Sequence, residues 1–212
     1  MIELYIMTIN DFCFAVNDYI SYVSRERREK IRKYKLRADK LRSVLSELML
    51  RKILTGKFGF RNSEIVFEYG IYGKPYINNA RSIEFNISHA DSVIAIAVGD
   101  CAVGVDVEML RDAPLNVACF FTDNEVDYIN HAKSISMRSI CFFTVWTMKE
   151  AFVKAKGISL APQLKSFDTI ANINEFITII ENGYIVSIYV PNRESVVVHY
   201  ISSNELLAGY IR

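Results

Sequence analysis

The 212-residue chain contains no apolar run close to the ~20 residues that a bilayer-spanning helix needs, so no membrane segment is expected. Its first residues, MIELYIMTIN, hold no basic leader and carry Glu3, which argues against a secretory signal. The cysteines Cys13, Cys101, Cys119 and Cys141 include no C-x-x-C pair. That argues against a zinc site or a disulfide framework and fits reduced thiols in the cytoplasm. No internal repeat, low-complexity tract or long linker interrupts the chain. Charge of neither sign dominates: with 25 basic and 24 acidic residues the net charge is +1, so nothing global attracts nucleic acid.

What the chain does have is an ordinary globular composition, 51% hydrophobic and 23% charged. Its length lies between one large domain and two small ones, enough to bury roughly 70% of the unfolded surface. The charge is locally uneven. RERREKIRKYKLRADKLR, residues 25–42, sets ten basic residues against three acidic ones on an otherwise slightly acidic chain. Such a segment is a local anion site more readily than a nucleic-acid surface.

Alternation makes ELYIM a strand. A helix starts near Ser24 as N-cap and continues, with a break, through RADKLRSVLSELMLRKILTG, where an apolar stripe from Leu41 to Ile53 stops at Gly56. EIVFEY reads as a strand, GIYGKPYI as a turn or hairpin, and IEFNISHA, VIAIAVG and AVGVDVEM as three strands. A short helix follows Pro114, and Thr122 with Glu125 forms a capping box. A long helix over about 137–156 ends at Gly157, and the last fifty residues are mostly strands. The expected class is α+β, with any division into halves near residues 101–104.

Two acidic stretches carry the chemistry. In VGVDVE, residues 103–108, strand geometry puts Asp106 and Glu108 on one face, about 7 Å apart, with Val105 and Val107 on the other. Two such carboxylates repel unless a cation lies between them, and oxygen donors select a hard ion such as Mg²⁺. The simpler reading is a strand emerging into solvent. In WTMKEAFVKAKG, residues 146–157, Trp146, Glu150 and Lys154 fall on one helical stripe, where Glu150 and Lys154 could equally be a solvated ion pair. FNISHA places Asn86 and Ser88 on one face and His89 at a strand end, and YGKP carries Lys74 in a turn.

Taken in order, GKP at 73–75, FNISH at 85–89, GVDVE at 104–108 and WTMKEAFVKAKG at 146–157 resemble the motifs of the 4′-phosphopantetheinyl transferases of the surfactin-synthetase-activating type. RREKIRK followed by DKLRS in the basic segment is similar too, and the resemblance spans roughly residues 20–167. It implies an α+β fold of two similar-sized halves related by a pseudo-twofold, residues 1–102 and 103–212, with the active site between them. It implies an enzyme that moves the phosphopantetheine arm of coenzyme A onto a serine of an apo acyl or peptidyl carrier protein, releasing 3′,5′-ADP, and a monomer.

By the same resemblance Asp106, Glu108 and Glu150 hold Mg²⁺, or Mn²⁺, and Glu150 is ligand or general base. Lys154 sits near the pyrophosphate, and Arg27, Lys30, Ser43, Lys74, Ser88 and His89 line coenzyme A. Arg27 departs from the frequent lysine, which keeps the charge and changes the geometry. Neither the carrier preference nor its docking surface follows from these motifs. A non-catalytic module binding coenzyme A or a carrier would keep the basic segment but has no use for three acids. A nucleic-acid-binding protein would leave both acidic motifs unexplained, and a single-half trimeric carrier synthase fits the length and the WTMKEA position less well.

Overall fold

The computed structural model describes residues 1–9, 14–78 and 83–210. The elements in order are β1 (Ile2–Thr8), α1 (Val16–Tyr19), α2 (Arg25–Lys33), α3 (Arg37–Phe58), β2 (Phe67–Tyr69), β3 (Pro75–Ile77), β4 (Glu84–Ala90), β5 (Val93–Gly99) and β6 (Gly104–Met109). After them come α4 (Asp123–Asn130), α5 (Ile135–Lys156), α6 (Gln163–Ser166), β7 (Phe176–Glu181), β8 (Tyr184–Tyr189), β9 (Val196–Ser202) and α7 (Ser203–Ala208). The class is α+β, as expected.

The first sheet has the order β4-β5-β1-β9, antiparallel except for the parallel β1–β9 pair. The second is antiparallel, in the order β6-β8-β7, and β2–β3 is a separate hairpin. Period-two alternation sorts β5 between two cores. Ile94, Ile96 and Val98 face Leu45, Leu48 and Met49 of α3, whereas Val93, Ala95 and Ala97 meet Val105, Val107, Val186 and Ile188 of the second sheet. Both faces of β5 are therefore covered, which is why VIAIAVG is apolar throughout. On the far side of the second sheet lies α5, whose Phe142, Phe143 and Val145 share a core with Ile185 and whose Met148, Ala151 and Ala155 share one with Phe176 and Tyr189. The layers run α3, first sheet, second sheet, α5. From the end of the chain, β9 and α7 return to the first sheet and to α3.

The helix ends follow the local chemistry, with one correction. Ser24 caps α2 through its hydroxyl, Ser134 caps α5, and the Thr122–Glu125 capping box opens α4. The 22-residue α5 ends at Gly157, φ 63°. The 22-residue α3 runs through Gly56 and stops at Gly59, φ 66°. A glycine inside a helix costs only about 1 kcal/mol, whereas a left-handed residue ends it. EIVFEY is a strand only over Phe67–Tyr69, because the Glu64 carboxylate turns back to the Arg61 amide and closes a 3-10 turn at Asn62–Glu64. The segment after Pro114 is likewise a 3-10 turn, Leu115–Phe120. The free thiols Cys101, Cys119 and Cys141 form no disulfide, and Cys13 lies outside the described residues. No helix among the described residues is long and apolar enough to cross a membrane.

Candidate active site between the two sheets

β4 and β6 are edge strands of different sheets, and they run side by side in the same direction without a backbone ladder. Side chains of β4 take its place. The Asn86 side-chain carbonyl accepts the Val105 N–H (3.0 Å) and the Ser88 hydroxyl accepts the Val107 N–H (3.3 Å). The outward amides of β6, which an edge strand would leave unpaired, are thus satisfied. The matching i, i+2 spacing of FNIS and GVDV makes this junction. Gly104 admits it from the other side: a Cβ there would lie 2.5 Å from the Ala155 nitrogen and still closer to the Ala151 carbonyl oxygen of α5. The small Ala151 and Ala155 and the absent side chain at 104 let strand and helix backbones touch.

The junction opens into a cleft of about 540 Å³ lined by Ser88, His89, Asp106, Glu108, Trp146, Glu150 and Lys154 among others. The stripe Trp146–Glu150–Lys154 therefore faces the same space as the Asp106–Glu108 face of β6. Asp106 is 5% exposed. Its Oδ1 accepts from the Ser88 hydroxyl (2.8 Å) and the Lys154 ammonium (2.5 Å), which also reaches Ser88 Oγ at 3.1 Å. The other oxygen, Oδ2, is buried with no hydrogen-bond partner. An acceptor left so is costly, and a cation is the partner a carboxylate oxygen takes best. Among the described residues Lys154 pairs with Asp106 and not with Glu150. Desolvation holds the Glu150 carboxyl above its ordinary value; Lys154 opposes this, while Asp106 and Glu108 add to it. Glu108 pairs with Arg111 at 3.3 Å.

Lys74 lines an adjoining recess of about 290 Å³, whose wall shares Ile87, Glu150 and Lys154 with the main cleft. Its ammonium bonds Glu84 (2.9 Å) and the Ala155 carbonyl (3.1 Å), tying the β2–β3 hairpin to the end of α5. Arg27, Lys30 and Ser43 line neither space. Arg27 is bound through Nε to Glu47 (3.2 Å), with Nη1 at 3.5 Å from the Ser43 hydroxyl, and Lys30 is exposed. Glu47, fully buried, also takes the Ser24 amide (2.6 Å) and Arg51 (2.8 Å), so one carboxylate fixes the start of α2 to α3. His89 is exposed as a residue, yet desolvation of its ring holds the imidazole below its ordinary value, and the charges of Arg42, Lys154 and Lys30 add repulsion.

Sequence reasoning missed Arg42 and Arg111, which are indistinguishable in the sequence from solvated arginines. It also missed the structural meaning of Gly104, although a glycine inside an apolar strand signals a close backbone approach. Lys149, beside Glu150 in the same motif, points the other way. Its ammonium is 2.8 Å from Glu125 and 2.6 Å from the Phe167 carbonyl, and the two side chains are 1% and 0% exposed. Burial pushes the Lys149 pKa down and Glu125 opposes that. Lys149→Met strands the Glu125 carboxylate and should lower stability by about 3–5 kcal/mol. A urea midpoint equal to that of the unmodified chain would contradict a buried, paired lysine.

The acidic triad does not form a closed cage. Among the described residues, one group of three metal-capable side chains has its ligand atoms mutually within 4.8 Å: Asp100, Cys101 and Glu194, at the other end of β5. Both of its carboxylates bind the Met1 ammonium, at 3.1 and 3.0 Å. Asp106, Glu108 and Glu150 line one cleft but lie further apart than that.

Comparison with known proteins gives the same direction. Residues 10–100 match the family model described as 4′-phosphopantetheinyl transferase, N-terminal, and residues 102–200 match that of the 4′-phosphopantetheinyl transferase superfamily. The 4′-phosphopantetheinyl transferase gsp of Aneurinibacillus migulanus is 33% identical over 170 residues, 79% of this chain and 70% of the relative. The 4′-phosphopantetheinyl transferase Sfp of Bacillus subtilis (strain 168) is 30% identical over 193 residues, 91% of this chain and 81% of its own length. With similarity of that extent running over most of its length, the chain belongs to the 4′-phosphopantetheinyl transferases.

Proposed function

We propose that this enzyme moves the 4′-phosphopantetheine arm of coenzyme A to a serine hydroxyl of an apo acyl or peptidyl carrier protein, with Mg²⁺ as the metal. The observation that carries the reading is Asp106, with one oxygen fixed by Ser88 and Lys154 and the other buried and unpaired in a cleft it shares with two more carboxylates. That donor set, all oxygen, fits Mg²⁺, and Asp106, Glu108 and Glu150 would hold it. Bound there, the ion supplies charge neutralisation on the pyrophosphate oxygens of coenzyme A.

The chain's own residues supply the rest. Lys154 is held in place by Asp106 and Ser88 with one donor left for a phosphate oxygen. Arg42 and Lys30, beside a His89 imidazole that these charges and burial hold toward its neutral form, would make a rim for the remaining phosphate charge, and Arg27 and Lys74 would reinforce it from α2 and the hairpin. In the transfer, the serine Oγ forms a bond to the β-phosphorus of coenzyme A and the bond to the bridging oxygen breaks, leaving with its electron pair as 3′,5′-ADP. Glu150 accepts the serine proton. A carboxylate held above its usual range is a better base than an ordinary one. A non-catalytic binding module would have no role for this arrangement of lysine and acids.

The reading predicts 3′,5′-ADP release only when protein, coenzyme A, divalent cation and apo carrier are all present, and its arrest by EDTA. Release without carrier, or undiminished release in EDTA, would contradict it.

A further inference from the structure

The two sheets meet at the cleft through discrete side-chain ties, and the outermost of them involves a residue with no place in the chemistry above. The β4–β5 turn, Asp91–Ser92, projects from the first sheet directly after His89 and Ala90. Asp91 has φ 46°, a left-handed turn conformation that Asp tolerates better than most non-glycine residues. From its own half the turn is held by Arg42, whose Nη1 donates to the Asp91 carbonyl (2.7 Å), and by the Ile9 amide, which donates to the Ser92 carbonyl (2.7 Å). From the second sheet comes Tyr184, the first residue of β8, set opposite Met109 of β6. Its hydroxyl donates to Asp91 Oδ2 (3.1 Å) and lies 2.7 Å from Ser92 Oγ. Its ring packs with Ala90 on the core between the sheets.

We propose that Tyr184 is a positioning residue for coenzyme A: by clamping the Asp91–Ser92 turn to β8 it fixes His89 and Arg42 on the first sheet relative to Asp106 and Glu108 on the second. Without the hydroxyl, β4 remains tied to β6 at Asn86 and Ser88, so the acidic floor of the cleft keeps its geometry. The end bearing His89 and the Arg42 anchor loses its only hydrogen bonds to β8 among the described residues. The consequence falls on binding of the phosphate-rich co-substrate, not on the reacting atoms. This inference rests on the functional reading above, in which that rim meets coenzyme A.

The test is steady-state kinetics of Tyr184→Phe, which keeps the packed ring, alongside His89→Ala and the double variant, each with its thermal midpoint. Loss of the clamp should raise KM for coenzyme A between about 3- and 10-fold, the worth of one or two hydrogen bonds, with kcat within about twofold. In the double variant the added effect of Tyr184→Phe should be smaller than in the unmodified enzyme, because part of the clamp's action runs through His89 and the rest through Arg42. An unchanged KM for Tyr184→Phe, with or without a lower midpoint, overturns the proposal, and so do a fall confined to kcat and effects that multiply in the double variant. No transfer by the unmodified enzyme overturns the functional reading and this proposal together. Normal transfer by the unmodified enzyme with an unaltered Tyr184→Phe overturns the clamp alone.

Discussion

Asp106→Asn should reduce transfer to a carrier by about 10²- to 10³-fold, the scale seen when one element of a preorganised charge-stabilising site is removed. The substitution keeps the shape of the side chain and an Oδ1 that still accepts from Ser88 and Lys154. It replaces the buried, unpaired Oδ2 by an amide nitrogen that repels a cation. The fold should survive: β6 is held by Val105 and Val107 in the core, by the β8 ladder and by Asn86 and Ser88, none of which changes. The remaining cost is the unpaired charge of a part-exposed Lys154. A loss of about 1 kcal/mol would move the melting temperature of a chain this size by about 2–4 °C. Collapse of the circular dichroism spectrum in this variant would assign Asp106 a structural role. Near-normal transfer would remove it from the site.

The second large effect is on folding. Gly104→Ala puts a methyl group against the main chain of α5, at Ala151 and Ala155, where neither neighbour is the end of a flexible side chain that could swing away. Either β6 lifts off α5, opening the core around Met148 and Tyr189, or the helix bends. We expect a loss of about 3 kcal/mol or more, the upper end of what overpacking costs because the contact is with backbone, and transfer lost with it because Asp106 lies two residues on. Gly56→Ala is the control. A Cβ at position 56 meets nothing within 4 Å and the site is helical, so alanine should stabilise by about 0.5–1 kcal/mol. A Gly104→Ala protein with an unchanged urea midpoint would show that the close approach is not needed.

The acidic floor of the cleft was legible in the sequence because strand and helix periodicities are local. Val105 and Val107 inward with Asp106 and Glu108 outward, and the stripe Trp146–Glu150–Lys154, follow from spacing alone, and both reach one cleft. Pairing was less legible. An i, i+4 Glu150–Lys154 bridge and a Lys154–Asp106 bridge have the same sequence signature on the helix, and only the approach of β6 to α5 decides between them. The roles of Asn86, Arg42 and Tyr184 depend on which sheet edges meet, and that is fixed by long-range contacts that no local pattern encodes. Lys149 shows the converse: it belongs to the same motif as Glu150, yet one step along the helix turns it from the cleft into the core. Gly56 was misleading because glycine permits a helix end without requiring one; Gly59 supplies the left-handed residue.

The central claim is a metal-dependent transfer carried by Asp106 and its neighbours, and intact-mass spectrometry tests it most directly. An apo acyl carrier and an apo peptidyl carrier, each with a serine→alanine control, would be incubated with the enzyme, coenzyme A and Mg²⁺. The account predicts that at least one carrier gains the mass of one phosphopantetheine arm, that its alanine control does not, and that EDTA or Asp106→Asn prevents the gain. A carrier that is modified equally in EDTA, or by the Asn variant, would contradict the account, as would unmodified carriers in the presence of an enzyme that binds coenzyme A and Mg²⁺.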